Sequence, residues 1–345
     1  MNNADINSFA IYRLPGESLC TLIQQEEEPQ ALRSLADLNG RSGFVMAPFV
    51  QTAESPLLLL SAAQRTVCPV DRLSDNLLPA ACRYSSRETG GETTRQHYAI
   101  DFANFHAQLL EGRFQKLVLA RSAFLQAPLK EPVALFRHAC QAYPDAFVAL
   151  ISTPQSGTWL MATPEVLVEG TADHWHTMAL AGTMEVAGPW SVKNIREQRY
   201  VTTYIMKCLE RFASDIREEG PVTVQAANVV HLRSDFCFTF DDPTLIGNLL
   251  QTLHPTPAVG GLPKDEAVDF IVHNEASARR YYSGFAGPLQ IEGATHLFVA
   301  LRCMHLLSDG YRLYAGGGLL PDSEEATEWH ETEAKMQAMK RLVEG

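Results

Sequence analysis

The sequence predicts an α+β fold built on antiparallel sheets, on three observations. Apolar, β-rich segments come in runs instead of alternating one by one with helical segments, which disfavours a doubly wound parallel sheet. Amphipathic helical patterns lie between those runs. The composition is that of a packed globular chain: of 345 residues, 46% are hydrophobic and 20% charged, so most of the chain can bury a core.

The first 84 residues carry apolar segments at 43–50 and 57–60 but little dense chemistry, and the acidic run at 26–28 reads as a solvated loop. SSRETGGETTR (85–95) is polar, contains glycine and lacks periodicity, so it reads as a linker. Beyond it, KLVLARSAFL (116–125) is a strand that puts Lys116, Val118 and Ala120 on one face. FVALIST (147–153), EVLVEG (165–170), HTMALAG (176–182), HLFVALRCMHLL (296–307) and YRLYAGGG (311–318) are read the same way. Helical patterns cover 98–111, 132–142, 194–218, 264–279 and 324–343.

Several function classes are disfavoured at once. Lys plus Arg number 28 and Asp plus Glu 40, a net charge of −12, which speaks against nucleic acid as a partner. A small anionic substrate stays open if cations in the site overcome the overall field. Seven cysteines without a CxxC pair suggest reduced thiols in a cytoplasmic protein. The N-terminus lacks a signal-peptide pattern, and the most apolar run, 56–63, is far short of the about 18 residues needed to span a bilayer. There is no phosphate-cradling GxxxxGK[ST] or GxGxxG. HETEA at 330 lacks the second histidine of a zincin.

Two helices carry carboxylates on their apolar stripes. Stepping back along Ile216, Phe212, Leu209, Ile205 and Val201 reaches Glu197. Stepping back from Leu342 and Met339 reaches Lys335, Glu331 and Glu328. A buried carboxylate needs a partner. A structural ion pair, a solvated helix turn with pairs such as Glu331–Lys335, or a shared cation would each serve. An oxygen-only set suits Mg²⁺ better than zinc. LAGT (180–183), HPTPAVGGLP (254–263) and YAGGGLL (314–320) are small-residue loops able to bring backbone close to a ligand or simply to turn. Arg302, read by alternation on one face with Ala300 and Met304, wants a carboxylate from protein or ligand.

Taken in order, the blocks KLVLAR, TPEVL, LAGT, KNIREQRYV, HLRS, LHPTPAVGGLPK, RRYYSGFAG, LRC and YAGGGLLPDSEEATEWHETEAK resemble the chorismate-utilising enzyme family. That family includes anthranilate, aminodeoxychorismate, isochorismate and salicylate synthases. The resemblance covers about 92–340; residues 1–84 are less characteristic and are read as part of the same single domain spanning 1–345. It implies two packed antiparallel β-sheets with helices on the outside, the active site in the cleft between them, and chorismate and Mg²⁺ as ligands.

It also implies roles for individual residues. Glu197 and Glu331 match the family's metal carboxylates, with Glu328 as an acidic neighbour acting through water or as an alternative ligand. Arg302 and Tyr282 match residues that hold the pyruvyl carboxylate, Lys335 lines the same end, Gly182, Thr183 and Gly317 match backbone contacts, and His231 stands beside the ring. Lys116 resembles the general base of the water-using members, and HPTPAVGG resembles the isochorismate-forming type. The expected chemistry is water attack at C2, Lys116 taking the proton, and loss of the C4 hydroxyl, protonated by Glu165. It requires Lys116 below its ordinary pKa of about 10.4 and Glu165 above about 4.3. No glutaminase partner is expected, and a monomer is the default. Menaquinone supply is favoured over siderophore supply. Salicylate synthase, which goes on to eliminate pyruvate, is the nearest rival; an amine-transferring synthase and a non-catalytic binding module are further ones. Asn194 stands where the family often has Asp, Gln198 where His is common, and LAGT runs into MEV without the usual basic residue.

Overall fold

The computed structural model describes residues 7–74, 84–85, 92–226 and 229–345. Most of the expected linker, 86–91, and Cys82 lie outside the described residues. Two nine-stranded antiparallel sheets form the frame. The first runs, in spatial order, Gly261–Leu262, Lys116–Leu125, Gly310–Leu319, Cys303–Leu307, Gly157–Thr163, Phe147–Thr153, Ser8–Arg13, Leu19–Gln25 and Arg65–Pro69. The second runs Ala213–Ala226, Val229–Phe240, His174–Met184, Val166–Thr171, Ala294–Val299, Phe285–Leu289, Gly43–Ala47, Leu57–Leu60 and Gln30–Leu32. Strands from the first 70 residues thus close one end of both sheets.

Many strands are buried on both faces, which explains their near-continuous apolar sequence. In Ser8–Arg13, Ala10 and Tyr12 join the core between the sheets, while Phe9 and Ile11 face the cluster under the helices. Phe147, Ala149 and Ile151 divide from Val148 and Leu150 in the same way. The helices are α1 (Arg95–Leu110), α2 (Pro132–Ala142), α3 (Val192–Leu209), α4 (Ile246–Leu253), α5 (Lys264–Asn274) and α6 (Glu325–Glu344). Helices α2 and α6 pack on the outer face of the first sheet through Leu135, Phe136, Met336, Met339 and Leu342. Helix α3 sends Val201, Ile205 and Leu209 into the main core. Its first turn is capped by Ser191, whose side chain accepts from the Asn194 amide.

Three expectations are corrected. The helix over 264–279 ends at Asn274, where the backbone turns extended at Glu275. The helix over 194–218 ends at Leu209, and 213–226 is a strand paired with Val229–Phe240. Phe212 and Ile216 keep helical spacing, but Asp215 takes φ 51°, which a right-handed helix cannot contain. HLFVALRCMHLL is not one strand. Ala294–Val299 belongs to the second sheet and Cys303–Leu307 to the first. Arg302 lies in the crossing with φ 45°, so strand alternation does not set its direction.

Candidate active site

Two of the short passages between the sheets each carry a charged residue singled out by the sequence. Pro164 and Glu165 join Thr163 to Val166; Ala300, Leu301 and Arg302 join Val299 to Cys303. The two corners are bonded to each other. The Val299 amide donates to the Glu165 carbonyl at 2.9 Å, the Thr163 hydroxyl to the Val299 carbonyl at 2.7 Å, and the Ala162 amide to the Arg302 carbonyl at 3.1 Å. Glu165 and Arg302 therefore face one enclosed space of about 40 Å³, lined also by Gly182, Thr183, Glu197, His231, Tyr282 and Lys335. That volume holds water molecules but falls well below the roughly 300 Å³ of a small-molecule pocket. Admitting a ring requires side chains to move.

Glu165 is 2% exposed. Burial pushes its carboxyl up to about 8, against the opposing pull of Arg302, Lys116 and Lys335. Arg302 donates to His231 Nε2 at 2.8 Å, while His231 Nδ1 lies 3.0 Å from the Gly182 carbonyl and 3.3 Å from the Thr183 hydroxyl. The Nδ1–H tautomer satisfies both ends. Burial and the adjacent Arg302 push His231 down to about 3, so the ring is neutral. Tyr282 stacks on Tyr314 with ring centroids 5.6 Å apart.

Three carboxylates converge, each with its own lysine. Glu197 Oε1 lies 3.0 Å from the Nζ of fully buried Lys116, without a well-aligned hydrogen bond. Glu328 accepts from Lys193. Glu331 Oε1 accepts from Lys335 at 2.6 Å, and Lys335 also donates to the Gly316 carbonyl at 2.9 Å. Burial and the neighbouring Glu331 raise the Glu328 pKa. For Glu331, burial pushes upward but Lys335 outweighs it, and the net shift is down. The glycine run serves as the floor. A Cβ on Gly317 would sit 3.1 Å from Glu328 Oε2 and 3.4 Å from Glu331 Oε1; one on Gly318 would sit 2.0 Å from Glu197 Oε1. Glu328 Oε2 is buried with no hydrogen-bond partner. Such an all-oxygen set over bare backbone fits a hard divalent cation. Among the described residues, no three His, Cys, Asp or Glu side chains already form a metal cage; the lysines occupy the carboxylates instead.

Supporting residues brace the site, and not all of them were read in the sequence. Lys193 was not singled out although it meets Glu328. Gln198 accepts from the Ala181 amide at 3.0 Å and donates to the Ala179 carbonyl at 3.1 Å, tying α3 to the strand beside it. Glu275 accepts from the Ala120 amide at 2.8 Å, and Arg279 donates to the Val118 carbonyl at 2.8 Å, bracing the strand that carries Lys116. The Glu–x₃–Arg spacing at 275–279 was the available signal, although the pair lies beyond the end of α5.

A family model described as "Chorismate binding enzyme" matches residues 59–344. The salicylate biosynthesis isochorismate synthase of Pseudomonas aeruginosa is 34% identical over 263 residues, 72% of this chain and 55% of that protein. Isochorismate synthase DhbC of Bacillus subtilis is 30% identical over 260 residues, 69% of this chain and 65% of that one. The chain thus matches somewhat over half the length of these relatives. The solved structure of MenF, the menaquinone-specific isochorismate synthase from Escherichia coli, superposes with TM-score 0.77 at 20% identity, covering 99% of this chain and 89% of that one. Anthranilate synthase component I from Streptococcus pneumoniae gives TM-score 0.72 at 16% identity, covering 96% and 90%. An isochorismate synthase and an anthranilate synthase component share this fold, so the fold alone does not select the reaction.

Proposed function

As this chain belongs to the chorismate binding enzyme family, we propose that it converts chorismate to isochorismate. The observation that carries the reading is a buried Lys116 held against Glu197, which lines the cavity that a protonated Glu165 faces. Lys116 takes a proton from water as the oxygen bonds to C2; both ring double bonds shift; Glu165 gives its proton to the C4 hydroxyl, which leaves as water. One water enters and one departs, so the product is an isomer. The Lys116–Glu197 pair must part before Lys116 is free to accept that proton. Arg302, braced by neutral His231, and Tyr282 hold the pyruvyl carboxylate, with Lys335 at the same end and Gly182, Thr183 and Gly317 offering backbone at close range. General acid–base work of this kind is worth about 10²–10⁴-fold per group.

Mg²⁺ is the proposed cofactor, held by Glu197 and Glu331 with Glu328 acting through water or as an alternative ligand. When bound, it supplies positive charge that clamps and orients the ring carboxylate. We further propose a cytoplasmic monomer with no glutaminase subunit, water being the nucleophile. Menaquinone is the destination we favour, as stated for the E. coli MenF structure; the name of the Pseudomonas relative ties isochorismate synthesis to salicylate instead.

The test is to incubate the purified protein with chorismate and Mg²⁺, with EDTA as control, and resolve products by chromatography with mass detection. A metal-dependent isomer of unchanged mass is expected. Salicylate plus pyruvate would move the function to the nearest rival, an ammonium-dependent amine product to the other branch, and untouched chorismate would overturn the reading.

A further inference from the structure

A second cavity, of about 380 Å³, adjoins the catalytic one and is open to solvent. Its wall comes from the loop after α2 (Ala142 to Ala146), from Ala162 and Pro164, from Gln225 and from two arginines, Arg302 and Arg341. Arg302 is the residue that lines both cavities, and Pro164 precedes Glu165, which lines the inner one. The partition between them is therefore the Arg302 side chain together with one turn of backbone. Arg302 is 7% exposed, and its Nε has no hydrogen-bond partner. An incompletely satisfied buried guanidinium favours an incoming carboxylate.

The outer rim is fixed in place. Buried Arg13 donates to the Tyr143 carbonyl at 2.6 Å and also to the Pro144 carbonyl. The Tyr143 hydroxyl donates to the Ala338 carbonyl of α6 at 2.6 Å. One helical turn further along α6, Arg341 is exposed at the mouth. Both guanidiniums lie within electrostatic reach of the Tyr143 hydroxyl. Among the described residues, the charged groups facing the space are Arg302 and Arg341 against the exposed carboxylate of Asp145. On a protein of net charge −12, a mouth of positive balance concentrates an anion where the rest of the surface repels it.

We propose that this outer cavity is the port by which the dicarboxylate substrate reaches the closed site, Arg341 capturing it and Arg302 receiving it. The proposal rests on the substrate named above. Arg341 is a positioning residue for association; it touches none of the reacting atoms.

The experiment follows chorismate association by stopped-flow tryptophan fluorescence, alongside steady-state kinetics, at low and high ionic strength. Arg341→Glu should slow association and lower kcat/KM by roughly tenfold at low salt, with a smaller loss in kcat. Added salt should narrow the gap from wild type, and Arg341→Lys should keep most of the rate. Arg217→Glu, the same charge change at an exposed position away from the port, should stay within about twofold of wild type. If wild type binds chorismate and Arg341→Glu associates as fast as Arg217→Glu, the port is wrong while the substrate stands. A loss confined to kcat and indifferent to salt would also overturn it. Wild-type protein that neither binds nor converts chorismate would remove the substrate reading, and the port with it.

Discussion

Glu165 is a carboxylic acid held neutral by its surroundings, and both consequences can be measured. Its pKa of about 8 means the donor form is lost as pH rises, so kcat/KM should fall through about pH 8. A profile flat to pH 10 would remove Glu165 as the acid. The stability consequence has the opposite sense from a salt-bridged carboxylate. The unfolded chain ionises near the ordinary value of 4.5 while the native state stays protonated, so this group's contribution declines between pH 4.5 and 8. Glu165→Gln should therefore be inactive yet more stable at pH 7, on the order of 2 kcal/mol in urea unfolding. Lys116→Ala should lose at least about 100-fold in kcat while calorimetry still detects chorismate binding; near-normal turnover would end the base assignment. The three carboxylates were legible because charged residues on an apolar helical stripe demand partners, whereas Lys116 and Glu165 were legible only through the family resemblance. Of the three lysine partners only Lys335 was legible, from its i,i+4 spacing to Glu331; Lys193 and Lys116 meet Glu328 and Glu197 from other segments of the chain, which no local pattern announces.

Between residue and molecule, the element that decides the site is the strand Gly310–Leu319 lying under α3 and α6. Its glycines let carboxylates from both helices approach the backbone. Gly318→Ala would place a methyl 2.0 Å from Glu197 Oε1 and 2.9 Å from Lys116 Cε. Both side chains would have to move, with an expected cost of about 1–3 kcal/mol and a loss of activity greater than that of Gly188→Ala, where no atom lies within 4 Å and the backbone is not in the left-handed region. Equal effects of the two substitutions would show that the close approach is irrelevant. Five helices and several strands beyond residue 115 were readable because periodicity is local, whereas α4 and the strand Gly157–Thr163 were not singled out. The long hairpin 213–240 was not, because its first residues continue the apolar spacing of α3. The split at Arg302 was hidden as well: a corner between sheets has the same apolar composition as the strands it joins.

At the scale of the whole molecule, the second sheet is laced on its outer side by a titrating cluster. Glu169, His176, Asp235 and His296 come from four adjacent strands, with His176 2.8 Å from Asp235 and 3.0 Å from Glu169, and His296 3.1 Å from Glu169. Burial lowers the His176 pKa but the two carboxylates outweigh it, so the native value is raised above 6.5. Its stabilisation is complete below pH 6.5 and is lost as pH rises through the native value. Glu169 is held near 2, as its histidine hydrogen bonds outweigh burial, so its share is lost as pH falls from 4.5 toward 2. His176→Gln should cost about 1 kcal/mol at pH 6 and progressively less at alkaline pH; a deficit independent of pH would mean packing, not charge, is what it removes.

The paired corners at Glu165 and Arg302 have one more consequence. Most binding sites are assembled on surface loops, whose amides exchange with solvent readily. Here the Val299 amide is locked to the Glu165 carbonyl and the Ala162 amide to the Arg302 carbonyl, inside the frame that holds both sheets together. In heavy water these amides should exchange as slowly as the central strands, by global opening. The chemical centre would then be among the last parts of the protein to let deuterium in, and admission of a ligand would fall to side chains swinging within a still backbone.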